Sequence, residues 1–137
     1  MMIYVRKLNE DDAKQTEFLD ELSGNNVCEW LECEDSGYGI FDNNKLIGYC
    51  TLNYADDCGD VIENHPDWTN DSRLLSNVYV LKEYRNQGIG KLLINTVLQK
   101  ADNNAIFLTV LYPELCEYYK KFGFTEIDEE KYAMVKI

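Results

Sequence analysis

The segment from Arg73 to Leu111 constrains the fold most, because three consecutive pieces of it have distinct hydrophobic patterns. Arg73–Leu81 (RLLSNVYVL) reads as a strand, and Gly88–Ala101 has the apolar stripe of an amphipathic helix. Ala105–Leu111 (AIFLTVL) is apolar almost throughout, which is typical of a strand covered on both faces and paired in parallel. In this order the three pieces predict a right-handed βαβ unit.

The flanking residues predict further elements. The first helix can be capped by Asn9 and stopped by Gly24. Its expected buried side consists of Ala13, Phe18, Leu19 and Leu22. In chain order, the other expected elements are a strand at Ile3–Leu8, that helix at Glu10–Leu22, a short helix at Val27–Leu31, hairpin strands at Gly37–Asp42 and Lys45–Tyr54, a polar loop at Ala55–Asp71, a helix from Pro113 to Gly123, and strands at Phe124–Ile127 and Tyr132–Ile137.

Composition limits the possible classes. A chain of 137 residues with a 45% apolar fraction predicts one globular domain spanning 1–137 rather than a disordered chain. No apolar run approaches about 20 residues, so no membrane span is expected. The start, MMIYVRKLNEDDAK, becomes charged too early for a signal peptide, and the expected location is therefore the cytoplasm. The net charge of −12 argues against a nucleic-acid partner.

The cysteines do not suggest a disulfide framework or a metal site. There are five of them, an odd number without a CxxC pair, and only one histidine accompanies them. We therefore expect free thiols in a reducing compartment and no bound metal.

The stretch YRNQGIGKLL, residues 84–93, lies between the predicted strand and the predicted helix. A helix start carries unpaired N–H groups and roughly half a positive charge, which suits a phosphate group. Glycine at 88 and 90 removes the Cβ atoms that would keep a pyrophosphate from these N–H groups. Arg85 and Lys91 add positive charge, and Lys82 lies nearby in the sequence. The pattern indicates a diphosphate-binding loop, although a simple tight turn would also explain two glycines.

Two common phosphate-binding motifs do not fit this loop. The Walker motif requires Ser or Thr after its lysine, and here Leu92 follows Lys91. The dinucleotide-binding motif requires a third glycine at the position of Leu93.

The residues VYVLKEYRNQGIGKLL resemble motif A of the GNAT-type N-acetyltransferases, whose Gln/Arg-x-x-Gly-x-Gly/Ala signature corresponds to Arg85, Gly88 and Gly90. About thirty residues later, EYYKKFGF is similar to a second segment of that family. Together the two motifs cover residues 73–127. The resemblance implies an α+β, three-layer α/β/α fold with a mixed, mostly antiparallel sheet, in which the central parallel βαβ unit splays to hold the pantetheine of acetyl-CoA.

The resemblance also implies roles for individual residues. Backbone groups of Val78 and Val80 would bind the pantetheine, and the Val80 N–H would stabilise the oxyanion. Tyr119 would act as the general acid that protonates the leaving thiolate, because a phenol has a pKa of about 10. An alternative for Tyr119 is packing in the core. The loop residues that would bind acetyl-CoA are Arg85, Asn86, Gln87, Gly88, Ile89, Gly90 and Lys91.

The sequence departs from the family in two places. Some members carry a catalytic glutamate where Leu74 stands, so the general base is left open between Asp60, Glu63 and His65. His65 can equally be a surface loop residue. Many members have asparagine where Tyr112 stands, which puts that contact with the pantetheine in doubt.

Charge is distributed unevenly along the chain. Residues 17–67 contain 13 acidic side chains and one basic side chain, Lys45. By resemblance, residues 1–72 mainly form the acceptor side and residues 73–127 the acetyl-CoA side. We therefore expect a cationic amine acceptor, a small molecule or a peptide, contacted by Glu29, Glu32 and Glu63; solubility alone would also explain the acids.

Two other classes of function remain compatible with the sequence. One is a non-catalytic module that binds acyl-CoA, and the other is an unrelated protein that binds nucleotide phosphates with the same loop. The sequence leaves the acceptor open, and the expected oligomeric state is a monomer or a homodimer.

Overall fold

The computed structural model describes residues 2–31, 37–54, 72–101, 105–110, 114–127 and 133–136. The chain forms two compact units. The first unit comprises Met1–Leu52 and Asn77–Val97, and the second comprises Asn53–Ser76 and Leu98–Ile137.

The first unit contains an antiparallel meander. Strand β1 (Ile3–Lys7) pairs with β2 (Gly37–Asp42), and β2 pairs with β3 (Lys45–Tyr54). The bounds of β2 and β3 agree with the predicted ones, on either side of the expected turn. The pairing of β2 with β3 shifts register between Ile40 and Phe41, as at a β-bulge.

Helix α1 (Ala13–Ser23) follows a 3-10 turn at Glu10–Asp12. The predicted cap is present, because the Asn9 side chain accepts from the Asp11 N–H at 2.9 Å. The Asp12 carboxylate in turn accepts two hydrogen bonds from Arg6, at 2.7 and 2.8 Å. Hydrogen bonding to Arg6 lowers the pKa of Asp12. The helix ends at Gly24, which has a φ of 79°.

The buried side of α1 differs from the predicted one. Leu19 is buried, but Phe18 and Leu22 are about half exposed, so their assignment to the core was wrong. Thr16 is buried, because its hydroxyl donates to the carbonyl of Asp12 at 2.9 Å and is thereby satisfied. The apolar pattern did not reveal that a polar residue would occupy this face.

Strand β4 (Arg73–Val80) runs through both units, which meet along the chain at Ser76 and Asn77. It leads through a loop to helix α2 (Ile89–Lys100), which begins in the first unit. The predicted stripe of α2 is buried, as Ile89, Leu93 and Val97 show.

The second unit contains strand β5 (Ile106–Thr109), helix α3 (Glu114–Lys120), strand β6 (Thr125–Glu126) and strand β7 (Ala133–Lys136). The parallel pairing between β4 and β5 joins Arg73 to Ile106 and Leu74 to Phe107. Strand β7 pairs antiparallel with β5 and with β6. A core cluster of Ala105, Phe107, Ile127 and Val135 packs against Leu74 and Ala133.

The seven strands of the described residues follow the order β1-β2-β3-β4-β5-β7-β6. This mixed sheet, with its parallel β4–β5 pair and three α-helices in the described part, confirms the predicted fold class. Within the described ranges, no helix combines the length and apolarity that a bilayer crossing requires.

Candidate active site

The loop between β4 and α2 has a defined conformation. Residues Lys82–Tyr84 form a 3-10 turn, and the Tyr84 hydroxyl donates to the carboxylate of Asp42 at 2.8 Å, which ties the loop to β2. The backbone then becomes left-handed at Asn86 (φ 63°) and again at Gly88 (φ 80°). Helix α2 begins at the next residue.

The backbone N–H groups at the start of α2 are unpaired. In the part of the chain that the structure describes, no group accepts a hydrogen bond from the N–H groups of residues 86–91. The helical ladder starts with the N–H of Leu92, which donates to the carbonyl of Gly88 at 3.0 Å. Unpaired donors at the positive end of a helix dipole suit an anion. Of the residues predicted to bind acetyl-CoA, Asn86, Gln87 and Gly88 lie in this loop, whereas Ile89, Gly90 and Lys91 form the first turn of α2.

Gly88 combines a left-handed backbone with open space. A Cβ atom built on it would have no other atom within 4 Å beyond its chain neighbours. By contrast, a Cβ atom on Gly48 would lie 2.8 Å from the carbonyl oxygen of Tyr79, so packing alone explains that glycine. At Gly88 the turn requires a positive φ, and the absence of a side chain leaves room for a ligand.

Arg85 is already engaged in this loop. Its Nε donates to the carbonyl oxygen of Val80 at 2.8 Å, and its guanidinium lies 5.4 Å from the centroid of the Tyr79 ring. Lys82 and Lys91 are exposed. Three cations therefore lie in this loop and in the first turn of α2, and one of them, Arg85, is fixed against the end of β4.

Val78 and Val80 lie in the last part of β4 and are both half-buried. The N–H of Leu81 donates to the carbonyl of Ile47 on β3 at 2.8 Å. Because successive backbone N–H groups of a strand point to opposite edges, the N–H of Val80 lies on the edge away from β3. That is the same edge to which the Val80 carbonyl, bound by Arg85, is directed.

Tyr119 lies in the second unit, on α3. Its ring is half-buried and makes edge-on contacts with Tyr118 and Phe124, with centroids 5.2 and 6.0 Å apart, and a tilted contact with Phe122 at 6.3 Å. These contacts agree with the alternative of aromatic packing, and they also fix the ring. Leu74, at the position of the family's glutamate, packs against the core cluster of this unit.

An acidic groove of about 410 Å³ opens in the first unit, between α1 and the 3-10 turn at Val27–Trp30. Glu29, one of the predicted acceptor-binding residues, lines it, and its side chain is exposed. Burial, followed by the neighbouring carboxylates, raises the pKa of the Cys28 thiol, which disfavours the thiolate. The groove is lined by Glu17, Asp20, Glu21, Asn26, Cys28 and Glu29.

Asp20 has a structural role in this groove. Its carboxylate accepts from the N–H groups of Val27 and Cys28 at 3.0 and 2.9 Å, and from the hydroxyl of Tyr49 at 2.6 Å. The Tyr49 hydroxyl also lies 2.8 Å from Ser23 Oγ. Burial and the hydrogen bond to Asp20 raise the pKa of Tyr49. Asp20 and Tyr49 therefore hold the groove together.

Asn77 has a conformation that the sequence pattern did not predict. This residue has a φ of 57° in the interior of β4, where a left-handed conformation is unexpected. An asparagine inside a strand pattern was the available signal, because asparagine tolerates this conformation better than most residues.

Several predicted residues lie outside the described ranges. They are Glu32, Asp60, Glu63, His65 and Tyr112, together with Cys33 and Cys58. The other three cysteines, Cys28, Cys50 and Cys116, are free thiols. Within the described ranges, no group of three or more His, Cys, Asp or Glu side chains could hold a metal ion.

A family model described as acetyltransferase (GNAT) family matches residues 4–124. The chain belongs to the GNAT acetyltransferase family. The match covers the loop at the start of α2 as well as Tyr119, and it extends through most of the acidic first half.

Solved structures support the GNAT fold. The PaiA N-acetyltransferase from Thermoplasma acidophilum, crystallised with coenzyme A, has a TM-score of 0.70 and 20% identity, with 99% of each chain covered. The ribosomal-protein-S18-alanine N-acetyltransferase from Escherichia coli has a TM-score of 0.72 and 13% identity, covering 98% of this chain and 93% of that one. NAA60 from Arabidopsis thaliana, in complex with acetyl-CoA, has a TM-score of 0.71 and 18% identity, covering 98% and 96%. No curated protein sequence matches this GNAT chain significantly.

Proposed function

We propose that this chain is an acetyl-CoA-dependent N-acetyltransferase that modifies a cationic primary amine. One observation carries the proposal: the N–H groups of residues 86–91 find no acceptor among the described residues, and the space next to Gly88 is open. These donors fit a pyrophosphate, which accepts hydrogen bonds through several oxygens and favours the positive end of a helix. The structures of two similar proteins, PaiA and NAA60, contain coenzyme A or acetyl-CoA, which supports the same ligand here.

The residues that would hold acetyl-CoA belong to β4 and to the loop that follows it. Residues 86–91 would bind the pyrophosphate through their N–H groups, and Arg85 and Lys91 would add charge. The backbone of Val78 and Val80 would bind the pantetheine, as an added strand does. Bound acetyl-CoA supplies a thioester that an amine can attack directly. The Val80 N–H, on the edge away from β3, would donate to the carbonyl oxygen of the acetyl group.

Tyr119 would supply the proton that the leaving sulfur takes up. Its Oη is the donor, and the contacts of its ring with Tyr118, Phe122 and Phe124 would limit how far that oxygen moves. The general base is left to Asp60, Glu63 or His65, or to water, since Leu74 is apolar and packs in the core.

We propose that residues 1–137 act as one acetyltransferase domain, with residues 1–72 mainly serving the acceptor and residues 73–127 mainly serving acetyl-CoA. The acidic groove that includes Glu29 supports a cationic acceptor, such as a polyamine, an aminoglycoside-like compound or a basic peptide. Acids also stabilise the ammonium form, which cannot attack a thioester. Activity should therefore rise with pH.

A second candidate is a non-catalytic module that binds acyl-CoA. Leu74 favours it, because this residue replaces a catalytic carboxylate of the family and instead packs in the core. Binding of CoA without consumption of acetyl-CoA, against a panel of cationic, neutral and anionic amines, would support this candidate.

Replacing Tyr119 with phenylalanine tests the catalytic proposal. The substitution keeps the ring contacts and removes the proton donor, so kcat should fall about 10²- to 10⁴-fold while the Kd for CoA changes little. Tyr118→Phe is the matched control, because it removes the hydroxyl of the neighbouring residue on α3. The kcat of this variant should equal that of the wild type. Turnover at the wild-type rate by Tyr119→Phe would assign the acid role to another group or to water.

A further inference from the structure

The outer side of α1 exposes apolar side chains that the core does not cover. Phe18 and Leu22 lie one turn apart on this helix and are 54% and 53% exposed. Lys14 precedes Phe18 by one turn, Glu21 adjoins Leu22, and both charged side chains are exposed. Because residues three, four and seven positions apart lie on one side of a helix, these side chains share a surface. Lys14, Phe18, Glu21 and Leu22 form the α1 face.

A pocket of about 190 Å³ adjoins the α1 face, between the helix and the start of β3. Two of its lining residues, Leu19 and Leu46, are buried and apolar. Gln15 links the helix to the strand, because its Nε2 donates to the carbonyl of Asn44 at 3.1 Å and its Oε1 accepts from the N–H of Leu46 at 2.8 Å. The pocket is therefore formed before anything binds in it. It is lined by Lys14, Gln15, Phe18, Leu19, Lys45 and Leu46.

The charge at this pocket is opposite to that of the surrounding chain. Its two cations, Lys14 and Lys45, are exposed, and Lys45 is the only basic residue among residues 17–67, which include 13 acids. An apolar pocket beside two cations is complementary to an apolar side chain next to a carboxylate. Glu21 and Leu22 form such a pair on the same helix. The two ends of the α1 face are therefore complementary to each other, as an interface between identical copies across a twofold axis requires.

We propose that two copies of this chain associate through the α1 face, with their α1 helices antiparallel about a twofold axis close to Phe18. Residues equally far from Phe18 then lie opposite each other, so Leu22 of each copy enters the pocket of the other. Glu21 of each copy pairs with Lys14 of the other. Each copy has a net charge of −12, so contact is favoured where a cation of one copy meets an acid of the other. The inference does not rest on the proposed enzymatic function.

The affinity of this dimer should be low. The α1 face and its pocket comprise fewer residues than the roughly 20–30 per partner of a standard interface, so the dimer should dissociate on dilution. Sedimentation velocity on the full chain, from about 10 μM to about 1 mM protein at physiological salt, measures the Kd of the dimer. A wild type that remains monomeric at about 1 mM would overturn the proposal and leave the α1 face to a different partner.

Exchanging charges tests the antiparallel arrangement. Lys14→Glu and Glu21→Lys should each raise the dimer Kd about tenfold or more, because each substitution places like charges opposite each other twice. An equimolar mixture of the two variants should form a heterodimer with a Kd close to that of the wild type, since every pair across the interface again joins opposite charges. A mixture that dimerises no better than either variant alone would overturn the arrangement.

Shortening the apolar side chains tests the contact itself. Phe18→Ala and Leu22→Ala should each raise the dimer Kd about tenfold, and both residues are exposed, so the fold should be retained. Leu92→Ala is the matched control, because Leu92 is 43% exposed on α2, outside the α1 face. This control should leave the dimer Kd unchanged. A wild-type dimer that Phe18→Ala and Leu22→Ala weaken no more than Leu92→Ala would use another surface and contradict the proposal.

Discussion

The start of α2 and the acidic groove recognise ligands by different means. At the start of α2, the donors are backbone N–H groups of residues 86–91, whose positions follow from the turn at Gly88. In the groove, the charges are side chains such as Glu21 and Glu29, which are exposed and can rotate. The first region therefore presents a fixed geometry, whereas the second presents mainly an electrostatic field, which salt weakens.

The largest expected effect comes from Gly88→Val. The Cβ and methyl groups would fill the space next to the unpaired N–H groups, so the Kd for CoA should rise about 100-fold or more, since several hydrogen bonds to a charged group are lost. Calorimetry with CoA measures this change in Kd.

Gly24→Val is the matched control for this substitution. Gly24 has a φ of 79° and likewise no atom within 4 Å of a built Cβ, so both variants introduce the same backbone strain. Both should lose stability similarly, and only Gly88→Val should lose CoA affinity. Unchanged affinity in a folded Gly88→Val protein would show that this loop does not bind the pyrophosphate.

An intermediate effect is expected at the base of the groove. Tyr49→Phe removes the hydroxyl that donates to Asp20, which should lower the free energy of unfolding by about 1–3 kcal/mol. Because the folded state raises the pKa of Tyr49, this stabilisation is present below the unfolded pKa of about 10 and is lost as the pH rises above it. Chemical denaturation between neutral pH and pH values above about 10 measures both effects.

The control for that substitution is Tyr79→Phe, which keeps the ring contacts of Tyr79 with Tyr49 and Arg85. It should change stability little. If Tyr49→Phe destabilises the fold no more than Tyr79→Phe, the bond to Asp20 does not hold the groove. CoA affinity should be retained in both variants, in contrast to Gly88→Val.

The smallest effect is expected from single charges of the groove. Glu29→Gln should raise the KM for a cationic amine about two- to fivefold, because one exposed charge contributes at most about 1 kcal/mol. The effect should shrink as salt is added. Asp11→Asn removes one exposed charge of α1's preceding turn, outside the groove, and should leave this KM unchanged. A preference for neutral or anionic amines, with a KM insensitive to salt, would contradict a cationic acceptor.

Much of the fold could be predicted because its signals are local. The turn between β2 and β3 and the stripe of Ile89, Leu93 and Val97 depend on neighbours within a few residues. The burial of Thr16 in place of Phe18 could not be predicted, because it follows from a hydrogen bond that only the folded turn offers.

The candidate site likewise combines features that the local sequence predicts with features that depend on residues far away in the chain. The position of the loop at Gly88, between a strand and a helix, was predicted from local patterns, and its binding of a diphosphate stays a prediction. The left-handed backbone of Asn77 was not predicted, because its partners Thr51 and Asn25 are 26 and 52 residues away in the sequence. Nor could the sequence tell which carboxylates are available to a ligand. The carboxylate of Asp20 accepts hydrogen bonds within the protein, whereas Glu29 is exposed.

The contacts of Arg85 have an entropic consequence. Its guanidinium is held by the Val80 carbonyl through Nε and by the face of the Tyr79 ring, while the N–H groups at its far end remain as donors. Immobilising a flexible side chain on binding usually costs about 0.5–1.5 kcal/mol. The Arg85 side chain is already ordered before a ligand binds, so this cost is reduced. A lysine at this position would carry the same charge but would lack the planar guanidinium that makes these contacts. Its side chain would therefore become ordered only when a phosphate binds.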